Sequence, residues 1–380
     1  MRIVPFALPD IHNDDIRAVT NVLESLWLTT GKQCQLFEEQ FAQVIGSPYA
    51  VAVNSATAAL HLALLALGIG PGDQVIVPTL TFTATASTVL FVGATPILVD
   101  VRAHDHQIDP NCVEKAITEK TKAIVVVHFG GSAAPMTDIQ AIAKKHGLYV
   151  IADAAHALPC SFKGQNVGAL ADISCFSFYA TKTMTTGEGG MAVTANRDWA
   201  QSIRLLSLHG LSKDAWNRHG PTSHHFYDVL ALGYKYNMTD MSAALGLSQL
   251  SRLQAMHEKR LVIAKIYDKF FTQQTLFDTR TLPTEDTHSY HLYVIRLNAN
   301  QNKLHRDQVI ERLKEQGIVT SVHFVPLHMH SLYRARFHFK ADDFVVAHDI
   351  YKRSLSLPIY SRMNEEDAFA VCAALECLFC

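Results

Sequence analysis

The chain has 380 residues, enough for about two domains, one of them large, and for a sizeable core. Hydrophobic residues make up 48% and charged residues 18%, the balance of a compact globular protein, which excludes a disordered or fibrous chain. Lysine and arginine number 33 against 35 acidic residues, a net charge of −2, so neither nucleic acid nor an acidic membrane surface is an expected partner.

From the N-terminus, Met1-Arg2-Ile3-Val4-Pro5 is followed by no apolar run of the secretory kind. The most apolar stretch, Ala56 to Ile69, is interrupted by His61 and falls short of the ~20 apolar residues of a membrane span. Cys34, Cys112, Cys160, Cys175, Cys372, Cys377 and Cys380 are scattered and odd in number, which points to the cytosol rather than to a disulfide framework. Cys377 and Cys380 form a C-x-x-C but lack two further ligands, and read as small apolar residues of a terminal helix.

Short β-branched runs alternate with helix-like segments between Tyr49 and Thr194: Tyr49–Val53, Gln74–Val77, Pro96–Val101, Ala123–Val127, Leu148–Ala152, Ile173–Phe178 and Gly190–Thr194. This is the pattern of an α/β fold, a mostly parallel sheet with helices on both faces, and ligands belong at the carboxyl ends of its strands. From Thr239 to about Phe271 apolar residues recur at helical spacing, with Thr239 or Asp240 as the N-cap. After a polar link, Thr275–Asp286, come a strand (His291–Leu297), a helix (Leu304–Gln316), a strand (Val319–Phe324) and two more helices. The expected organisation is a large domain over residues 1–240, linking helices over 241–275 and a smaller α+β domain over 276–380. Trp216 to Tyr227, rich in Gly, Pro and His, is the best candidate for a mobile loop over a site.

Three clusters follow expected strands. Asn54-Ser55-Ala56-Thr57 precedes the helix Ala58–Leu67, where backbone N–H groups and two hydroxyls can bind a phosphate, although Ser and Thr there also serve as plain caps. Asp153-Ala154-Ala155-His156 puts a carboxylate at a buried strand end, where it either meets a cation or caps the next helix. Ser177–Lys182 places one lysine between a strand and the turn Thr186–Gly190; apolar surroundings there would desolvate it and free the neutral amine. A phosphate cup, a buried Asp and a desolvated Lys together are what pyridoxal 5′-phosphate (PLP) requires. Phe82, after Gln74–Val77, is then placed to stack on the ring, or else belongs to the core.

At these residues the chain resembles the sugar aminotransferases of the DegT/DnrJ/EryC1/StrS family, within the fold type I, aspartate aminotransferase-like PLP enzymes. The matching stretches are Leu28-Thr29-Thr30-Gly31, Asn54–Leu60, Gly93–Pro96, Asp153–His156, Ser177–Lys182, Glu188–Gly190, His209-Gly210, Gly233–Asp240 and His323–His328. The resemblance implies Lys182 as the Schiff-base lysine, Asp153 as the partner of the pyridine nitrogen and His156 as a neighbour of the ring. It implies Ser55, Ala56, Thr57 and Ser177 around the phosphate, and Asn237 reaching that phosphate from the other subunit of a homodimer with shared active sites. Thr29, Thr30, His323 and His328 become substrate-binding candidates. His323, His328 and His330 have a metal-like spacing, but no carboxylate stands between them and no metal is expected.

Relatives with histidine in place of the lysine are dehydratases of deoxysugars, so Lys182 favours transamination. Tyr234–Asp240 and Asp153–Ala157 look closest to enzymes that aminate C4 of UDP-linked 4-keto sugars, with L-glutamate as the implied donor, in amino-sugar biosynthesis for lipopolysaccharide or another surface glycan. A C3 aminotransferase of dTDP-keto sugars, a cyclitol ketone aminotransferase and a non-enzymatic regulator are the alternatives.

Overall fold

The computed structural model describes residues 3–212, 227–282, 286–301 and 304–378; the Trp216–Tyr227 segment (apart from Tyr227), Pro283 and Cys380 lie outside the described residues. Two helices, α1 (Asn13–Ser25) and α2 (Lys32–Ile45), precede β1 (Tyr49–Val53). Helices and strands then alternate as α3 (Ala56–Ala66), β2 (Gln74–Pro78), α4 (Ala84–Phe91), β3 (Thr95–Val99), α5 (Pro110–Ala116), β4 (Thr121–Val127), α6 (Met136–His146) and β5 (Tyr149–Asp153). A short hairpin, β6 (Ser161–Phe162) and β7 (Gln165–Asn166), leads to β8 (Ile173–Ser177), β9 (Gly190–Thr194) and α7 (Arg197–Ser207). The chain continues through α8 (Asp240–Leu250), α9 (Leu253–Phe271), β10 (Phe277–Thr279), β11 (Tyr293–Leu297), α10 (Arg306–Glu315), α11 (Ser331–Phe337), α12 (Val345–Arg353), β12 (Ser354–Leu357) and α13 (Glu365–Cys377).

The seven-stranded sheet has the order β1-β9-β8-β5-β4-β2-β3. Strand β9 runs antiparallel to both its neighbours, and β8, β5, β4, β2 and β3 pair in parallel. Successive strand side chains point to opposite faces, so each apolar run feeds two cores. Val51, Val53, Val75, Val77, Val125 and Val127 pack with α3, α4 and α7. Ala50, Ala52, Ile76, Ile124 and Val126 face the other way, toward α2 and α6. The expected strands and the mostly parallel α/β arrangement are thus present, and α3 starts two residues earlier than its apolar spacing suggests because Ser55, not Thr57, is the cap.

The packing cuts across the sequence boundaries at 240 and 275. Val4 joins α9, α13 and the three-stranded sheet β10-β11-β12 in the smaller core. Leu327, Tyr333, Phe344, Ala347 and Ile350 instead belong to the core of the large sheet. Val319–Phe324 is not a strand: Ser321 makes one isolated bridge to Ser356, after which the chain leaves the edge of β12 and carries His323 and Phe324 into a cleft. The strand in this region is β12, whose Ser-Leu-Ser-Leu alternation pairs with β11. Among the described residues no helix is long and apolar enough to cross a membrane.

Candidate active site

Strands β1, β5 and β8 end at one cleft of about 320 Å³. After β1, Ser55 caps α3, its Oγ accepting from Ala58 N–H at 3.1 Å. Ala56 and Thr57 line the cleft, and their N–H groups belong to a first helical turn that has no acceptors of its own. A Cβ on Gly190 would stand 2.4 Å from the carbonyl carbon of Ser55, so a glycine in β9 is what lets this cup close against the sheet. Ser177 ends β8 beside it.

Asp153 ends β5 and is 5% exposed. Thr85 Oγ1 donates to its Oδ2 at 2.8 Å and Ala155 N–H to its Oδ1 at 3.2 Å. Burial pushes its carboxyl above the usual range, while the Thr85 and Ala155 donors and nearby Lys182 oppose that rise.

The loop that carries Lys182 is anchored by Phe178, buried against Phe37 and Phe41 with ring centroids 5.2 and 5.4 Å away. Thr185 Oγ1 and Thr186 N–H both donate to Phe178 O, and Phe178 N–H donates to Gly189 O, which closes the glycine turn. Burial lowers Lys182 to about 8, against the pull of Asp153. Its Nζ lies 3.3 Å from Nε2 of His291.

His156 is buried with its ring 4.4 Å from that of His291 and stacked on Phe324 at 5.8 Å. Gly130 N–H donates to His156 Nδ1 at 3.2 Å, which fixes the neutral ring with its proton on Nε2; burial holds the ring well below the usual histidine range. His323 lines the cleft, stacks on Phe6 at 5.4 Å and pairs through Nδ1 with Ser356 Oγ at 2.9 Å. Burial takes it down to about 4. Phe82 is 55% exposed at the cleft wall, 5.9 Å from Phe324.

Other residues singled out in the sequence lie elsewhere. His328 is fully buried outside the cleft: Thr79 Oγ1 donates to its Nδ1 at 2.8 Å, and its Nε2 donates to Ala341 O at 3.2 Å, so the ring braces the chain after β2 and has no nitrogen left for a substrate. Asn237 bridges Val53 through its backbone, but its side chain donates to Thr30 Oγ1 and accepts from Lys235 Nζ, both at 2.7 Å, away from the cleft of its own chain. Thr30 in turn donates to Met238 O at 2.5 Å, and Thr29 is exposed.

This set fits PLP. A helix start with hydroxyls suits the phosphate, a buried carboxylate suits the ring nitrogen, and a desolvated amine within the same cavity suits the aldehyde.

The family model of the DegT/DnrJ/EryC1/StrS aminotransferases matches residues 9–376. The chain belongs to this family. The spore coat polysaccharide biosynthesis protein SpsC of Bacillus subtilis is 46% identical over 373 residues, 98% of this chain and 96% of SpsC. The solved structure of Helicobacter pylori PseC, an aminotransferase involved in the biosynthesis of pseudoaminic acid, matches with a TM-score of 0.93 at 31% identity, over 100% of this chain and 99% of that one. Spr1654 from Streptococcus pneumoniae, solved in PMP, PLP and apo forms, matches in its PMP form with a TM-score of 0.92 at 33% identity, over 100% of this chain and 98% of that one. The protein is therefore a PLP-dependent sugar aminotransferase of fold type I.

Sequence reasoning for this aminotransferase missed Thr85, Phe6, Phe324 and His291 in the cleft wall or behind it. His288, just before the expected strand His291–Leu297, and His291, its first residue, were the available signal for the last.

Proposed function

We propose that this sugar aminotransferase transfers the amino group of L-glutamate to C4 of a UDP-linked 4-keto sugar, supplying an amino sugar for a surface polysaccharide. The observation that carries the transamination is the meeting of Lys182, Asp153 and the start of α3 at one cleft. The likeness of Tyr234–Asp240 and Asp153–Ala157 to C4 enzymes supports the substrate, as do relatives named for spore coat polysaccharide and pseudoaminic acid biosynthesis.

In this reading Ser55, Ala56, Thr57 and Ser177 hold the cofactor phosphate, Asp153 the ring nitrogen and Lys182 the aldehyde carbon, with His156 and Phe82 flanking the ring. The chemistry that PLP supplies when bound is storage of the amino group between two half-reactions and withdrawal of electrons from the donor Cα. Asp153 faces the ring nitrogen with Thr85 and Ala155 N–H favouring its carboxylate form, in opposition to the burial that raises its pKa. Lys182 Nζ takes the proton from the donor Cα and holds it, which its lowered pKa allows near neutral pH. His156, fixed by Gly130, offers its Nε2 proton as a donor. His323, with Nδ1 engaged by Ser356, keeps Nε2 for the sugar nucleotide at the cleft mouth. The second half-reaction returns the amino group to the keto sugar, with 2-oxoglutarate already released.

The working unit is a homodimer in which the partner's Asn237 completes the phosphate site. A panel of UDP-, dTDP- and GDP-4-keto sugars with glutamate tests the reading, with 2-oxoglutarate followed and the product's amination site assigned by NMR. Turnover of the UDP-4-keto sugar with nitrogen on C4 is expected; nitrogen on C3, or preference for a dTDP substrate, would replace it.

A further inference from the structure

His291 enters the cleft from the segment just before β11, which is tied to the turns after β4 and β5 at several points. Ser289 N–H donates to Gly131 O at 2.9 Å, and Ser289 Oγ donates to His156 O at 2.6 Å. His291 N–H reaches back to Ser289 Oγ at 3.2 Å, and Leu292 N–H donates to Gly130 O at 3.2 Å. A Cβ on Gly131 would stand 1.8 Å from Ser289 Oγ, so this docking depends on a glycine whose φ is +99°. The segment thus fixes His156 and delivers His291 to the same place.

Among the described residues the ring delivered has one polar contact. Its Nε2 lies 3.3 Å from Lys182 Nζ, while Nδ1 is buried and finds no partner among the described residues. A buried ring nitrogen left without a partner is costly and calls for an explanation, and this one lies in the cleft wall beside Lys182. Burial and the Lys182 charge keep His291 neutral, well below the usual histidine range.

We infer that His291 is a positioning residue for transamination: its neutral Nε2 accepts a hydrogen bond from Lys182 Nζ whenever that amine is free, and so supports lysine as the base. When Lys182 accepts a proton it becomes an ammonium group in a site where burial penalises charge. Asp153 attracts that charge, Arg260 of α9 repels it, and His156 and His323 also face it as neutral rings. His291 adds a lone pair in contact with the nitrogen, and no proton passes to the imidazole. The inference rests on Lys182 being the reactive lysine, as proposed above.

The test reads Lys182 itself in the full-length chain freed of PLP, a form in which Spr1654 has been solved. Carbamylation by cyanate, which attacks neutral amines, is mapped at Lys182 by mass spectrometry as a function of pH. The wild-type midpoint is expected near 8. In His291→Phe it falls by about one pH unit, tenfold in basicity, and in His291→Gln, which keeps an acceptor, most of that is regained. In the loaded enzyme His291→Phe lowers kcat for the glutamate half-reaction about tenfold with KM unchanged.

An unchanged midpoint in a folded Phe variant, or a Gln variant displaced as far as Phe, would overturn the inference. Should the Phe variant not fold, NMR of nitrogen-labelled histidine in the wild type decides: a neutral His291 with its proton on Nδ1 supports the inference, and a proton on Nε2 or an imidazolium near neutral pH overturns it. Finding the pyridoxyl group on another lysine would instead overturn the assignment of Lys182, so the two failures are distinct.

Discussion

Thr85 Oγ1 donates to Asp153 Oδ2 across 2.8 Å, joining the first turn of α4 to the end of β5 inside the sheet. The same hydroxyl oxygen lies 2.8 Å from Thr81 Oγ1, so the carboxylate sits at the end of a short chain of hydroxyls. Such a chain favours the charged form of a buried carboxylate without neutralising it, which suits a partner of the ring nitrogen.

Asp153→Asn therefore leaves the cofactor attached and cuts kcat about a hundredfold, equivalent to ~3 kcal/mol of transition-state stabilisation. Thr85→Val, which removes one hydrogen bond to a charged group, costs about tenfold. Steady-state rates with saturating glutamate check both. Wild-type turnover in the Asn variant would show that the ring nitrogen is controlled by another group.

Asn237→Ala weakens cofactor retention about tenfold, or ~1.4 kcal/mol, although its side chain faces Thr30 and Lys235 rather than its own cleft. The affected phosphate is the partner subunit's in the proposed dimer. Equilibrium dialysis against PLP measures the loss, and a structure of the loaded dimer with Asn237 remote from both phosphates would exclude it.

Much of this was legible in the sequence because burial leaves strong marks there. Runs such as Val75–Val77 and Ala123–Val127 are short, β-branched and apolar on both faces, which fits interior strands of a parallel sheet, and an isolated lysine between β8 and a glycine turn stands out against small and apolar neighbours. Thr85 was hidden inside Thr79–Thr88, where alternating threonines carry no mark of which one meets a carboxylate. Spacing likewise could not tell His323, which enters the cleft, from His328, which turns to Thr79, because the chain between them has no regular period and passes at Pro326 into the short 3-10 turn Leu327–Met329. Ser354–Leu357 has a clear period of two, but four residues between helices are too few to outweigh the better-looking Val319–Phe324.

Gly190→Ala forces a Cβ to within 2.4 Å of Ser55 backbone, and neither β9 nor the cup can yield cheaply. The expected loss is ~1–3 kcal/mol of stability together with a cofactor affinity at least about tenfold weaker. Urea midpoints and PLP titration measure the two effects. A variant that binds PLP as the wild type does would show that the cup does not hold the phosphate.

Acid should destabilise the fold through its buried histidines. Burial takes His128 down to about 3 from an ordinary 6.5, and its Nδ1 accepts from Ala134 N–H at 3.0 Å. Between those values the unfolded chain binds the proton and the folded chain does not, so stability is full above about pH 6.5 and falls as pH drops toward 3. Melting temperatures taken from neutral to about pH 5 should decline in the wild type and decline less steeply in His128→Gln, in which that group no longer titrates. Equal slopes would remove His128 from the account.

The most direct test of the central claim is borohydride reduction of the PLP-loaded enzyme followed by peptide mapping. The account predicts the pyridoxyl group on Lys182, with no covalent attachment and no glutamate turnover in Lys182→Ala, which still binds PLP through Asp153 and the cup. A pyridoxyl group on any other lysine, or near-wild-type turnover in Lys182→Ala, would contradict it.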